Sequence, residues 1–386
     1  MNEPNRVTDP RSPVRDEGPA AREAPLENAP ALCLSGGGYR AMVFHVGVLW
    51  RLNEAGYLPR LGRISSVSGG SITAGVLALR WNDLKFDARG VAASFQDLVV
   101  APIRTLAGQT IDAKAIVAGI LMPGSIGEKV AAAYDRELFH GATLQALPDT
   151  PRFVINATNV QSGAVWRFSK PYMADYRVGR VDHPTLPLAS AVAASSAFPP
   201  VLSPFELKLA PGLVRAQPGC DLCREPFTTH IVLTDGGVYD NMGLETVWKN
   251  YQTVLVSDGG GKLGADEEPE EDWAQHSLRI LELIDNQVRS LRKRQVIDSF
   301  VTKSRSGAYW GVRTNIADYQ LPDALPCPFE ATLALANTPT RLKRMDAALQ
   351  ERLINWGYAV CDAALRRHVD PAISKPAGFP YPGRGV

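Results

Sequence analysis

An α/β protein built on a parallel sheet is the fold the sequence predicts, on two observations. Ala31 to Leu34 (ALCL) is a short apolar run that breaks at Ser35-Gly36-Gly37-Gly38 and gives way to helical spacing. Arg63 to Val67 (RISSV) reads as another short strand, followed by Gly69-Gly70 and a second helical stretch. A strand, a glycine turn and a helix, twice in succession, require a crossover between strands that run the same way.

The elements follow in order. From Arg40 to Ala55, Val43, Gly47, Val48, Leu52 and Ala55 recur on one helical face, and Gly56 is placed to end the helix. Gly69 to Arg80 reads as the second helix. Arg152 to Ala157 and Val165 to Ser169 read as strands around a turn at Gln161-Ser162-Gly163, and His230 to Leu233 and Thr253 to Val256 as further strands. Long helical patterns run from about Trp273 to Val301 and from Thr340 to Val369. Residues 87–147 show no clear strand and read as a helical cap, 211–226 as an inserted surface loop, and 262–386 as a mainly helical part packed on the same domain. Residues 1–30 are rich in Pro, Glu, Arg and Asn, read as a flexible tail, and lack the apolar core of a secretory signal.

Composition narrows the function. The 386 residues are 45% hydrophobic and 21% charged, which fits an ordinary globular protein. Forty-one basic residues balance forty acidic ones, and a net charge of +1 gives no field for holding nucleic acid. The most apolar stretch, Ala115 to Met122, is too short to cross a bilayer, which leaves contact with a lipid surface open. Five cysteines (Cys33, Cys220, Cys223, Cys327 and Cys361) without a signal peptide point to reduced thiols and a cytoplasmic setting. One CxxC, Cys220/Cys223, lacks the two further ligands of a structural zinc site, so no metal is expected; a loop with two thiols or a local disulfide is the reading there.

The chemistry concentrates in two turns. Ser66-Val67-Ser68-Gly69-Gly70, between strand and helix, fits the G-x-S-x-G nucleophile elbow except at its first position. A serine hydroxyl attacks well when a sharp turn lifts it clear of the backbone, and the amides at the following helix start favour a developing oxyanion. Gly36-Gly37-Gly38 can aim further amides at the same point. It matches neither a phosphate-binding loop ending in Gly-Lys-Ser/Thr nor G-x-G-x-x-G. None of the six histidines lies in a glycine-rich turn after a strand, and His45 reads as a core histidine. Two aspartates do lie in such turns, Asp235 in TDGG and Asp258 in SDGG, and local pattern does not choose between them. A desolvated aspartate beside Ser68 could take its proton directly. Arg289, Arg292, Lys293 and Arg294 form a basic run, read as a solvated helix face before a patch for anionic lipid.

Five segments resemble the patatin-like phospholipase family. SGGGYRAMVFHVGVLWRLNEAGY resembles its oxyanion block and SSVSGGSITAG its elbow. LTDGGVYDNMGLE resembles its aspartate block, ASSAFPPVLSP its Ala-Ser-x-Ala-x-Pro stretch, and NATNVQSGAVWRF its central hairpin. They occur in the family's order across residues 31–261. The resemblance implies a three-layer α/β/α core with an open, mostly parallel sheet and a Ser-Asp dyad, with Ser68 as nucleophile and Asp235 as base. It also implies oxyanion amides from the turn Gly36, Gly37, Gly38 and from Gly69, with Arg40 holding the loop and Asp258 structural. Ser66 and Ala41 depart from the family's glycines. The implied activity is lipid acyl hydrolysis of the phospholipase A or esterase type, with a lipid or other ester as substrate, no cofactor, and peripheral membrane contact. The oligomeric state stays open. Two alternatives remain: an inactive relative that binds lipid or a partner, and a Ser-His-Asp esterase using His276 or His368.

Overall fold

The computed structural model describes residues 26–111 and 125–386. Most of the expected tail, and the Ala115 to Met122 stretch, lie outside the described residues. Ten strands form one sheet: β1 (Ala31–Leu34), β2 (Arg63–Val67), β3 (Arg152–Asn159), β4 (Ala164–Phe168), β5 (Tyr172–Asp175), β6 (Gly179–Asp182), β7 (Phe205–Lys208), β8 (His230–Asp235), β9 (Thr253–Asp258) and β10 (Ser306–Gly311). Their order is β10-β9-β1-β2-β3-β4-β5-β6, with β8 between β3 and β7 off that path.

The expected parallel core is the run β10-β9-β1-β2-β3, and the hairpin at Gln161-Ser162-Gly163 starts an antiparallel flank through β4, β5 and β6. The first two helices are α1 (Gly38–Glu54) and α2 (Gly69–Arg80). Alternation along β1 fixes the layers, because successive side chains point to opposite faces. Leu32 and Leu34 join the core formed with α1 and α2, while Ala31 and Cys33 join Met242, Leu244, Val247 and Val296 on the other face. Helices on both faces make three layers.

Residues 262–386 hold one element their sequence does not advertise. Between α8 (Trp273–Val301), at its expected bounds, and α10 (Ala347–His368), which ends near the expected Val369 but starts well after the expected Thr340, the chain adds β10 to the sheet edge, parallel to β9. With two glycines and a serine in six residues, SGAYWG offers no alternating pattern to read. The helices between them in number are α3 (Ala101–Ala107), α4 (Ile126–Tyr134), α5 (Leu188–Ser195), α6 (Gly237–Asp240), α7 (Glu245–Trp248) and α9 (Phe329–Ala336). Described residues within 87–147 are helical or irregular, and those of 211–226 are irregular, with Cys220 and Cys223 as free thiols. Among the described residues no helix is long and apolar enough to cross a membrane, and no group of metal-binding side chains occurs.

Candidate active site

Strand register brings the two key residues together. β3 is long enough to take two neighbours on one edge. Val67, the last residue of β2, pairs with Asn156, and Asp235, the last residue of β8, pairs with Ala157, the next position along. β2 runs parallel to β3 and β8 antiparallel, so they approach the same slot from opposite directions. Ser68 leaves β2 where Asp235 ends β8.

Ser68 turns the chain sharply. Its φ of 50° and ψ of −120° lie in a region L-residues rarely adopt, and it caps α2. Such strain persists only where surrounding structure holds it. Here the Ser68 amide donates to Ser195 Oγ at 3.0 Å, Ser195 Oγ donates to the Asn156 carbonyl at 2.6 Å, and Ser71 Oγ lies 2.9 Å from Ser195 Oγ and donates to Ser66 Oγ at 3.0 Å. Ser66, in place of the family's glycine, is thus part of the hydroxyl network behind the turn. Ser195 ends α5, in the Ala194 to Pro204 stretch, whose other contribution is backbone: the Asp235 and Gly236 amides donate to the carbonyls of Ala197 and Ser195.

Asp235 is 1% exposed and Ser68 7%. Burial pushes the Asp235 carboxyl up from its ordinary 3.8 to about 7; the Ser68 hydroxyl and the Gly237 amide pull it down by less. The Gly237 amide donates to Oδ1 at 2.7 Å. Oδ2 makes no hydrogen bond of normal geometry among the described residues, although Ser68 is near enough to stabilise the ionised form. A nucleophile and base often align fully only with substrate bound.

Asp258 is held differently. Burial pushes its carboxyl up, but Arg289 at 3.6 Å, the Gly260 amide at 2.9 Å and the Tyr309 hydroxyl at 2.8 Å more than offset this, leaving it below its ordinary value. It is a saturated ion-pair carboxylate with no spare basicity.

The glycine turn abuts the elbow. A Cβ on Gly69 would overlap the Gly38 carbonyl and come within 3.1 Å of the Gly38 nitrogen, so the two helix starts touch backbone to backbone. Gly38 and Gly69 begin their helices, where amides have no intrahelical acceptor. The Gly37 amide makes no backbone hydrogen bond among the described residues. Gly36 differs: its amide donates to the Asn241 carbonyl at 3.0 Å and is not available to an oxyanion. Its contribution is space, since a Cβ there would sit 3.0 Å from Ser68 Cβ and overlap Asn241 Oδ1. Ala41 packs its methyl against Gly37 and Gly259.

Arg40 anchors this turn to distant chain. Its Nε donates to the Gly259 carbonyl at 3.1 Å and its Nη1 to the carbonyls of Thr338 at 2.5 Å and Ala336 at 3.4 Å. Arg341 lies over the turn: its carbonyl accepts from the Tyr39 amide at 3.1 Å, and its backbone fills the space a Cβ on Gly38 would need. Asn241, Ser195 and Arg341 were not found by sequence reasoning. Asn241, inside the aspartate block, and Ser195, inside the Ala-Ser-x-Ala-x-Pro stretch, carry a local cue, and Arg341 has none.

The histidines lie elsewhere. His45 is buried between Ser257 Oγ (2.9 Å) and the Ser35 carbonyl (3.0 Å), and burial lowers its pKa to about 4. His276 contacts the Glu270 carbonyl, and His368 packs edge-on against Tyr319. The basic run on α8 is the expected solvated face only in part: Arg289 pairs with Asp258 and Arg292 with Glu245, whereas Lys293, over the Tyr309 ring, and Arg294 are exposed.

The chain thus falls in the class of three-layer α/β proteins, with a strained serine at a strand-to-helix turn against a buried aspartate and a glycine turn. Within that class the chain is a member of the patatin-like phospholipase family, whose model matches residues 32–248. Solved structures with similarity include human GIVD cytosolic phospholipase A2 in complex with methyl gamma-linolenyl fluorophosphonate (14% identity, 87% of this chain and 57% of that one, TM-score 0.48). VipD from Legionella pneumophila (14%, 88% and 66%, 0.34) and the type III effector ExoU (14%, 85% and 72%, 0.25) are others. This chain spans about half of the first phospholipase structures it resembles. No curated protein matches it.

Proposed function

We propose that the protein is a lipid acyl hydrolase of the phospholipase A or esterase type, working through a Ser68-Asp235 dyad. The observation that carries the reading is the shared slot on β3: Ser68 and Asp235 meet there, one strained and the other buried with a pKa near neutrality.

In the proposed reaction Ser68 Oγ attacks the ester carbonyl carbon as its proton passes to Asp235. The amides of Gly37, Gly38 and Gly69 receive the oxyanion, an assignment that leaves Gly36 out. The C–O bond to the alcohol breaks, and the leaving oxygen takes the proton from Asp235. Water then gives a proton to Asp235 and attacks the acyl-enzyme, and Ser68 Oγ recovers that proton as the carboxylic acid departs. A lipid substrate is favoured by the apolar rim beside the dyad. Phe198 (55% exposed) and Val201 (44%) follow Ala197, and Val238 (53%) follows Gly237. These side chains can meet acyl chains or a lipid surface.

Hydrolysis of a short p-nitrophenyl ester by the purified protein, compared with Ser68→Ala, tests the proposal. Turnover lost in the variant, with its melting temperature retained, is the expected result. Equal rates in the two proteins reject Ser68 as nucleophile, and an absence of turnover in both points to an inactive relative that keeps the pocket for binding.

A further inference from the structure

A cleft of about 580 Å³ opens beyond β9 and β10, at the same edge of the sheet as Ser68. In open α/β sheets this carboxyl edge is where ligands bind. Four cationic side chains line it: Lys262 after β9, Arg289 and Lys293 on α8, and Arg313 after β10. Asp258 is the one acidic side chain in its lining, and that carboxylate is already engaged by Arg289, Tyr309 and the Gly260 amide. Asp285, one turn before Arg289 on α8, is a further acid that interacts with Arg289.

Arg289 Nη1 donates to the Gly261 carbonyl and Arg313 Nη2 to Asn337 Oδ1, but other donors of these groups have no protein acceptor among the described residues. The buried Nε atoms of Arg289 and Arg313, and Nη2 of Arg40 behind the Gly261 backbone, make no hydrogen bond among the described residues. The cations also act on one another. Burial first, then Arg289, holds Arg313 below its ordinary value, and burial, Arg289 and Arg313 bring Arg40 down to about 10. Guanidinium groups gathered this closely around one cleft present more positive charge than the Asp258 carboxylate answers.

We propose that this cleft binds a phosphomonoester. Such a group carries close to two negative charges and three acceptor oxygens, which match a cluster of guanidinium and ammonium donors better than a single carboxylate would. Met242, Phe329 and Leu333 give the cleft an apolar side for carbon attached to the phosphate. The site is separate from the dyad: in the order β10-β9-β1-β2 it lies two to three strands from Ser68, roughly 10–15 Å at the interstrand spacing. It therefore takes a phosphate on a lipid headgroup or a soluble one, rather than the reacting ester.

The test reads binding, so its outcome does not depend on the hydrolase reading. Inorganic phosphate is titrated calorimetrically, and vesicles of phosphatidylcholine doped with phosphatidic acid or with phosphatidylglycerol are tested by flotation. Wild-type protein binds inorganic phosphate, phosphatidic acid vesicles or both, and prefers phosphatidic acid to phosphatidylglycerol. Lys262→Gln/Lys293→Gln/Arg313→Gln, which keeps the Asp258–Arg289 pair, weakens binding about 100-fold at roughly 1 kcal/mol per charge. Arg89→Gln/Lys208→Gln/Arg224→Gln removes as much charge elsewhere and retains wild-type affinity. If the cleft variant melts early, Lys262→Gln alone, at an exposed position, is expected to weaken binding about fivefold. Binding of inorganic phosphate alone marks a soluble ligand, and binding of phosphatidic acid vesicles alone marks a headgroup. No binding of either at millimolar phosphate, or equal affinity in wild type and cleft variant, overturns the proposal.

Discussion

Asp235→Asn is expected to stabilise the protein, and to do so more at high pH than at low. The folded carboxyl titrates at about 7 against an ordinary value of 3.8, chiefly because it is buried. A folded state that holds its proton more tightly than the unfolded chain loses stability as pH rises from the unfolded pKa toward the folded one, and does not regain it above. Asparagine is close to isosteric, keeps an acceptor for the Gly237 amide, and carries no charge to desolvate. Linkage gives a burial cost for the ionised aspartate of about 1.7 kcal/mol at pH 5 and about 4 kcal/mol at pH 8. The variant's advantage in urea unfolding should therefore grow by about 2.5 kcal/mol across that range. An advantage that does not change with pH, or one that shrinks toward pH 8, would show that Asp235 is not the desolvated acid described here.

Two other substitutions probe the turns. Gly69→Ala puts a methyl on the Gly38 carbonyl and should push the two glycine turns apart, lowering kcat about a hundredfold with the fold kept; Gly378→Ala, in open space, should leave kcat unchanged in the same ester assay. Ser195→Ala removes the acceptor for the Ser68 amide and the donor to the Asn156 carbonyl, at a cost of about 1–3 kcal/mol in urea unfolding. Ser196→Ala, whose hydroxyl bonds chiefly to its own helix, should cost less.

The parts of the fold legible in the sequence are those whose signal is local. β1, β8 and β9 carry apolar runs that lead into glycine turns, as buried central strands do, and β2 (RISSV) is marked by the Gly69-Gly70 turn that follows it. α8 begins at the expected Trp273, where Asp272 caps it. By contrast β5 (YMAD), β6 (GRVD), β7 (FELK) and β10 (SGAYWG) carry charges or glycines at their ends or among their apolar residues, which blurs the strand pattern. Pairing with a strand already in place makes them strands.

The same division runs through the site. Ser68 and the glycine turn announce themselves by spacing. Asp235 and Asp258 have the same local pattern, and what distinguishes them is distant: Arg289 and Tyr309 reach Asp258, while no cation pairs with Asp235 among the described residues. Gly36 looks like its two neighbours until Asn241, more than two hundred residues on, takes its amide.

The most direct measurement is covalent labelling of the purified protein by a fluorophosphonate, with the adduct mapped by mass spectrometry and its rate followed against pH. The account predicts one adduct, on Ser68, forming faster as pH rises through about 7 and abolished in Ser68→Ala. An adduct on another residue, or no labelling of a protein that is demonstrably folded, would contradict it.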